Sequence, residues 1–548
     1  QGALAAFEAG LAIARDFAAA GTSPDAEREV AAALTKIGAV KRDAGDSAGA
    51  LAALEESIAI RRKLPMTDPI KWQIDVAENL ETIGDLKLAA GDKEGALALY
   101  EEMLSLDRAM VASDGGNAQW QRNMSISLNR VGDAKLALGD TAGALASYEE
   151  ALAIRRRLAE TDDTVQRNQD VALNLEKIGD LKRGAGDDAE AVEAYEEMLG
   201  IARKVAETDA ANDQWRRNLA ISLSKIADAK VAAKDAQGAL AAYEEGLAIR
   251  RKLAETDKDN IGLHTEIATT LEKIGDLKHE AGDKAAALAA YVESMDARRQ
   301  AADAMLGKGD NSDALAAYEQ SLVLARRLAE ADSGKTNYQA DVSVILESIA
   351  SLKLASGDTA AALAGYQESL SLRRRLAETE RTGTKLRQNV SLTLEKIGDL
   401  KLGAKDEAGA LVAYEEMLAN DRALAEANPG TPERQRDVSL SLEKIAKMKL
   451  DGGDNAGALS LYEESLGIRR RLFEAERTNE QYKQGLSFVI EKVGDIKRDT
   501  GDTAGALAAY QEMLMLDREV AAANIGDTKR QRLVSVDLNK IADMKLAL

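Results

Sequence analysis

The sequence predicts an all-α fold, a right-handed superhelical solenoid of stacked antiparallel helix hairpins. One related block recurs along the 548 residues with a period of about 48 residues. The composition is 45 % hydrophobic with only five prolines, and its Ala, Leu, Glu, Lys and Arg content is typical of uninterrupted helices. A fixed period of this length indicates repeated supersecondary units, each covering the apolar face of its neighbour.

Each block is marked by an aspartate that follows Gly or Lys and precedes a run such as GALAAYEE. Successive markers are 46 to 48 residues apart, except for a spacing of 27 between Asp283 and Asp310. The markers are Asp46, Asp92, Asp140, Asp187, Asp235, Asp283, Asp310, Asp358, Asp406, Asp454 and Asp502.

One block, residues 117–163, shows why each unit is predicted to be a pair of helices. In its first half, Met124, Leu128 and Val131 recur at the spacing of one helix face. The second half keeps its own apolar side. Gly139 lies between the halves, where its tolerance of positive φ suits a tight reversal. We expect helices of about 18–20 residues, or roughly 30 Å.

The apolar and small residues of this block resemble the tetratricopeptide repeat family, and the resemblance extends over essentially the whole chain. The period is longer than the usual family value of about 34 residues, which makes the blocks more similar to kinesin-light-chain-type repeats. Lys135 also replaces a tyrosine expected late in the first helix. The residues that carry the resemblance are Leu128, Val131, Gly132, Ala144, Tyr148 and Ala151.

The short spacing predicts a division of the chain. Residues 1–283 form a first subarray, 284–310 an irregular short repeat or kink, and 311–548 a second subarray. Polar caps are missing from both ends, although stable arrays need them, so we expect a fragment of a larger protein. For bacterial proteins the resemblance implies a neighbouring catalytic or signalling domain.

Composition argues against several classes of function. The chain has no Cys and two His, and its formal net charge is −21. Thiolate and multi-His metal sites are therefore not expected, and nucleic acid and anionic lipid would be repelled. No apolar run approaches the roughly 18 residues that span a bilayer. We expect a cytoplasmic protein.

No catalytic or cofactor motif is complete, so we expect neither enzymatic activity nor a cofactor. The tetrapeptide Ser333–Thr336 is similar to the end of a phosphate-binding loop. Ala329 stands where that loop needs its first glycine, and no strand precedes it.

The resemblance implies that first helices line a concave groove, which gives a set of candidate binding residues. Acidic positions beside a mostly apolar series, which includes Leu136, Leu354 and Leu402, favour a protein or peptide partner with basic and apolar side chains. The alternative is that the acids pair with lysines of neighbouring repeats. The candidates are Glu81, Asn129, Arg183, Ser224, Glu272, His279, Glu347, Glu395, Glu443, Lys447, Glu491 and Arg498.

Second helices fall into two classes that largely alternate. One class ends in arginine runs such as Arg155–Arg157, and the other carries Met and often Asp, as in Met103 and Asp107. The arginines either form a basic patch on every second turn or pair with acids of adjacent helices.

The leading prediction is a non-catalytic scaffold or sensor domain for protein–protein interaction. One alternative is a structural array that self-associates. Another is the regulatory arm of a multidomain bacterial signalling or defence enzyme whose catalytic domain is absent here.

Overall fold

A computed structural model describes residues 2–21, 24–64, 68–379, 384–523 and 528–548. Within these ranges the chain forms 23 α-helices and no strand, which confirms the predicted all-α class. Most helices have 20 or 21 residues. They are α1 Gly2–Ala20, α2 Pro24–Asp43, α3 Ser47–Lys63, α4 Pro69–Ala89, α5 Lys93–Ser113, α6 Ala118–Ala137, α7 Thr141–Thr161, α8 Val165–Ala185, α9 Asp188–Thr208, α10 Asp213–Ala232, α11 Ala236–Thr256, α12 Ile261–Glu280, α13 Lys284–Gly307, α14 Asn311–Ala331, α15 Thr336–Ala355, α16 Thr359–Thr379, α17 Thr384–Gly403, α18 Glu407–Ala427, α19 Pro432–Asp451, α20 Asn455–Ala475, α21 Glu480–Asp499, α22 Thr503–Ala523 and α23 Thr528–Ala547.

Two compact units divide the chain. One comprises Gln1–Lys258 with Thr270–Asp283, and the other Asp259–Thr269 with Lys284–Leu548. In each unit a first helix packs against the second helix that follows it, as in α6 with α7 and α17 with α18. Each hairpin also packs on the next one, as the contact of α5 with α6 shows. This is the stacked-hairpin arrangement that the period predicts.

The marker aspartates explain how the hairpins turn. Gly139 has φ 85°, which a residue with a side chain adopts only at a cost. Asp140 then caps α7, because its carboxylate accepts a hydrogen bond from the backbone N–H of Gly143 at 2.9 Å. Lys234 and Lys405 take the same left-handed conformation where lysine replaces the glycine. The predicted Gly-Asp reversal is confirmed.

Close packing of a tyrosine of the second helix on a glycine of the first helix brings the two helices of one hairpin close together. Tyr148 in α7 is buried, and its ring lies over Gly132 in α6. The Tyr148 hydroxyl donates to Asp133 Oδ1 at 2.6 Å. The ring thus fills the interface while its polar tip reaches the edge of the hairpin. The same three residue types recur as Gly398, Tyr414 and Asp399.

Residues 284–310 contain a single long helix, α13, with 24 residues. Its first half supplies a buried tyrosine, Tyr291, as second helices do. Its second half supplies Asp303, which accepts a hydrogen bond from Tyr318 as first-helix aspartates do. One helix therefore performs both packing roles, which accounts for the short spacing. The division into two subarrays separated by this segment remains a prediction.

Arginines on second helices pair with acids, as one of the two interpretations of the arginine runs predicts. Arg374 in α16 donates to Glu416 on α18 through Nε at 2.8 Å. Arg470 in α20 reaches Glu512 on α22 at 2.6 Å in the same way. The arginine that precedes each of these is instead buried inside its hairpin, as Arg373 is.

Candidate protein-binding surface

The exposed side of the first helices carries a series of cations that bridge successive repeats, here called the cation ladder. Lys444 on α19 contacts Glu395 at 3.1 Å and Asp399 at 2.7 Å, both on α17. The other cations of the ladder contact acids of the preceding first helix in the same way. The ladder comprises Arg130, Lys177, Lys225 and Lys273 in the first unit and Lys396, Lys444 and Lys540 in the second.

The buried tyrosines support the ladder from below. Lys444 Nζ lies 5.3 Å from the centroid of the Tyr414 ring, within cation–π range. The Tyr414 hydroxyl donates to Asp399, which also accepts from Lys444. Burial, followed by the hydrogen bond to Asp399, raises the pKa of Tyr414 well above its ordinary value. The phenol therefore remains a donor at all physiological pH values.

Most first helices have a buried apolar residue at the position of Leu128, here called the key leucine, and an acid often follows it. A residue on the second helix determines whether this acid faces inward or outward. In α16 the position seven residues after the tyrosine is Arg373, which draws Glu347 inward at 2.6 Å. In α18 the same position is Asp421, and Glu395 faces the ladder instead. In the second unit, the alternation of the two helix classes thus produces an alternation of inward acids, Glu347 and Glu443, and outward acids, Glu395 and Glu491.

Four of the candidate residues lie against the inward arginines. Glu347 and Glu443 have side chains only 17 % and 11 % exposed, paired with Arg373 and Arg469. Asn129 is buried and exchanges hydrogen bonds with Asn174. Ser224 accepts a hydrogen bond from Arg250 at 2.9 Å. Little of Glu347, Glu443 or Asn129 is available to a partner.

The outward candidates belong to the ladder or lie beside it. Glu81, Glu395 and Glu491 each contact a ladder cation, so the pairing alternative describes their geometry. Arg183 lies 3.8 Å from Asp228, and Arg498 contacts Asp495 and Asp499.

The remaining candidates are exposed or half-buried. Lys447 pairs with Asp451 within its own helix. His279 is exposed, and Glu272 is half-buried. A binding role for the whole set remains a prediction.

A second feature of this face was missed from the sequence: a row of exposed apolar side chains, here called the apolar row. Its members occur on seven of the first helices, two residues before the Leu or Ile at the position of Leu128, and are 39 to 48 % exposed. A signal was present, because Leu392 and Leu394 are two residues apart and cannot both face one side of a helix. The row comprises Leu173 and Ile221 in the first unit and Val344, Leu392, Leu440, Phe488 and Val536 in the second.

Shallow cavities open beside the apolar row. Between α8 and α10, Leu173 and Ile221 share a cavity of about 410 Å³ with Trp215. In the second unit, Val344 and Leu386 line one of about 400 Å³.

The charge beside the row is negative on balance. Glu395 and Asp399 share the one cation Lys444, and Glu491 and Asp495 share Lys540. The Glu395–Asp399 group therefore has one more carboxylate than cation, whereas Asp495 also contacts Arg498. The face thus combines exposed apolar side chains with excess carboxylate.

None of the helices within the described ranges has an apolar stretch long enough to cross a bilayer.

Comparison with known structures found partial matches. The structure of BtubC (BKLC) from P. vanneervenii is 19 % identical, covering 46 % of this chain and 90 % of that one with a TM-score of 0.36. A putative kinesin light chain with nearly identical TPR-like repeats from Podosopora anserina is 16 % identical, covering 43 % and 98 % with a TM-score of 0.33. No curated protein matches the chain.

A family model described as "Tetratricopeptide repeat" matches residues 30–64 and 126–164. The second match covers most of α6 and all of α7, the hairpin in which Tyr148 packs on Gly132. Repeats of this family generally mediate contacts between proteins and are typically not catalytic. The chain contains tetratricopeptide repeats.

Proposed function

We propose that the chain is a non-catalytic scaffold that binds a protein segment on the exposed face of its first helices. The partner segment carries basic and apolar side chains. The observation that carries this proposal is the apolar row beside the cation ladder, where acids outnumber cations.

Physical complementarity supports this choice of partner. Burial of an exposed leucine side chain contributes on the order of 1 kcal/mol or more, so Leu392, Leu440 and Phe488 together offer substantial affinity. A lysine or arginine of the partner meets the excess carboxylate of Glu395 and Asp399, which share Lys444. An acidic partner would meet the same charge with repulsion.

Affinity selection from a random peptide library tests the proposal. The full chain is immobilised, and bound peptides of about twelve residues are identified. We expect enrichment of Lys, Arg and large apolar residues. Replacement of the basic residues by Glu in one selected peptide should weaken its binding at least tenfold, and raised salt should weaken the parent peptide.

Variants of the protein locate the surface. Leu392→Asp and Leu440→Asp should each raise the Kd of a selected peptide about tenfold or more. Val412→Asp is the matched control, because Val412 is 64 % exposed on the second helix α18. It should leave the Kd unchanged. Equal effects of Leu440→Asp and Val412→Asp, or enrichment of acidic peptides, would contradict the proposal.

The cytoplasmic location, self-association and a role as regulatory arm of a larger bacterial enzyme remain predictions from the sequence. The binding experiment does not depend on any of them.

A further inference from the structure

Buried aspartates on second helices are held by serines of the following first helix. Asp107 in α5 accepts a hydrogen bond from Ser127 in α6. Asp421 in α18 accepts one from Ser441 in α19. In each case a neutral donor satisfies a buried carboxylate, which would otherwise be costly.

The contact between α22 and α23, the last two helices described, departs from this pattern. Asp517 in α22 occupies the position of Asp107 and Asp421, but α23 has Asp537 where the others have serine. Asp537 is only 3 % exposed. Its Oδ2 atom finds no hydrogen-bond partner among the described residues. We call Asp517 and Asp537 the carboxyl pair.

The charged groups around the pair do not neutralise it. From α21, Ser487 donates to Asp517 at 2.9 Å, and Glu491 adds a further negative charge. Lys540 on α23 is close enough to favour the charged form of Asp537. It is engaged, however, with Glu491 at 2.7 Å and with Asp495.

A second negative charge beside the buried carboxyl of Asp537 cannot be maintained cheaply, although Asp517 itself is half-buried. Burial, and then the charge of Asp517, raises the pKa of Asp537 to about 7. No histidine lies between residues 480 and 548, so no group with an ordinary pKa near neutrality competes there.

We infer that Asp517 and Asp537 bind one shared proton, which holds α23 against α22 and is released as the pH rises above neutrality. With the proton bound, one carboxyl O–H donates to the carboxylate of the other. Without it, two carboxylates face each other in a buried contact. The carboxyl pair is thus a proton-binding site that regulates how firmly the last first helix is packed.

Release of the proton affects the candidate binding surface directly. Helix α23 carries Val536 of the apolar row and Lys540 of the cation ladder. A loosened α23 withdraws both from a partner, so affinity at this end falls at alkaline pH. This consequence rests on the proposed function, whereas the proton site itself does not.

Amide hydrogen exchange of the full chain, read by mass spectrometry without any partner, tests the inference. Protection of peptides from α23, corrected for intrinsic exchange rates, should fall roughly tenfold between about pH 5.5 and pH 8, because each pKa unit corresponds to a tenfold change in equilibrium. Asp537→Asn and Asp537→Ser should remain well protected at both pH values.

A gain of function provides the matched control. Ser441→Asp places a second carboxylate beside Asp421, whose pKa burial already raises, so the loss of protection of α19 with rising pH should become larger than in the parent protein. Wild-type protection that does not change with pH overturns the inference. So does a pH dependence that survives Asp537→Asn, or protection already lost at about pH 5.5 in Asp537→Ser. Unchanged peptide affinity with the expected exchange pattern contradicts only the proposed function.

Discussion

The ring of Tyr148 covers Gly132 so closely that a Cβ atom at position 132 would lie 2.5 Å from the ring carbon Cε1. The hydrogen bond from Tyr148 to Asp133 holds the ring in place, so it cannot simply swing aside. Corresponding contacts at Gly84 and Gly179 show that the same close approach of a tyrosine ring to a glycine recurs in other hairpins.

Gly132→Ala should therefore destabilise the α6–α7 hairpin by about 1–3 kcal/mol, the usual cost of overpacking. Ala227 occupies the equivalent position in α10 and is fully buried. A Cβ atom is therefore tolerated there, where the surrounding side chains are arranged to accommodate it. Gly200→Ala is the control, because nothing lies within 4 Å of a Cβ there. It should stabilise α9 by roughly 0.5–1 kcal/mol. Thermal denaturation followed by circular dichroism measures both, and equal midpoints would contradict the packing described.

Adjacent arginines in α16 should differ greatly in their contribution to stability. The Arg373 side chain is 6 % exposed and paired with Glu347, whereas Arg374 is 45 % exposed and paired with Glu416. Arg373→Met removes the close cation from the buried carboxylate of Glu347, which keeps only Lys396 at 4.0 Å, and should cost about 3–5 kcal/mol. Arg374→Met should cost about 0–1 kcal/mol. Urea denaturation measures the free energy of unfolding of both variants. Similar losses would contradict a larger contribution of the buried ion pair.

A buried aspartate should make the stability of the first unit depend on pH. Burial is the main cause that raises the pKa of Asp107 to about 6. Because the folded pKa exceeds the unfolded value, this group favours folding most below about pH 4, and that contribution is lost as the pH rises through about 6. Asp107→Asn should remove the loss, which amounts to roughly 2 kcal/mol near pH 7.

Hydrogen exchange of α5 and α6 as a function of pH checks this prediction. The parent protein should lose protection between about pH 4 and pH 7, and Asp107→Asn should lose less. Glu160→Gln, at an exposed position of α7, is the control and should follow the parent. A profile for Asp107→Asn that matches the parent at every pH would rule out Asp107 as the source.

Much of the fold could be predicted from the sequence because the same turn and capping residues recur in each repeat. The reversal at Gly139 and the cap at Asp140 require particular residue types, so their positions predict the hairpin boundaries within a few residues. The role of α13 was not predictable, since one helix there meets the packing requirements of two.

The candidate site was predicted less well, for a physical reason. Glu347 and Glu395 occupy equivalent positions, yet one faces Arg373 and the other Lys444. The choice depends on a residue about 26 positions away on the second helix, which only the packed hairpin brings near. Leu392 was not among the predicted binding residues, although its angle around the helix differs from that of the buried Leu394 and places it on the exposed side.

The proposed partner binds to the first-helix face rather than to the second-helix face. Photo-crosslinking with a benzophenone side chain placed at Leu440 or at Val412 distinguishes the two faces, with a labelled peptide selected from the library. Crosslinks from position 440, lost on competition with unlabelled peptide and absent from position 412, are the predicted result. Crosslinks of equal yield from both positions, or from 412 alone, would contradict it.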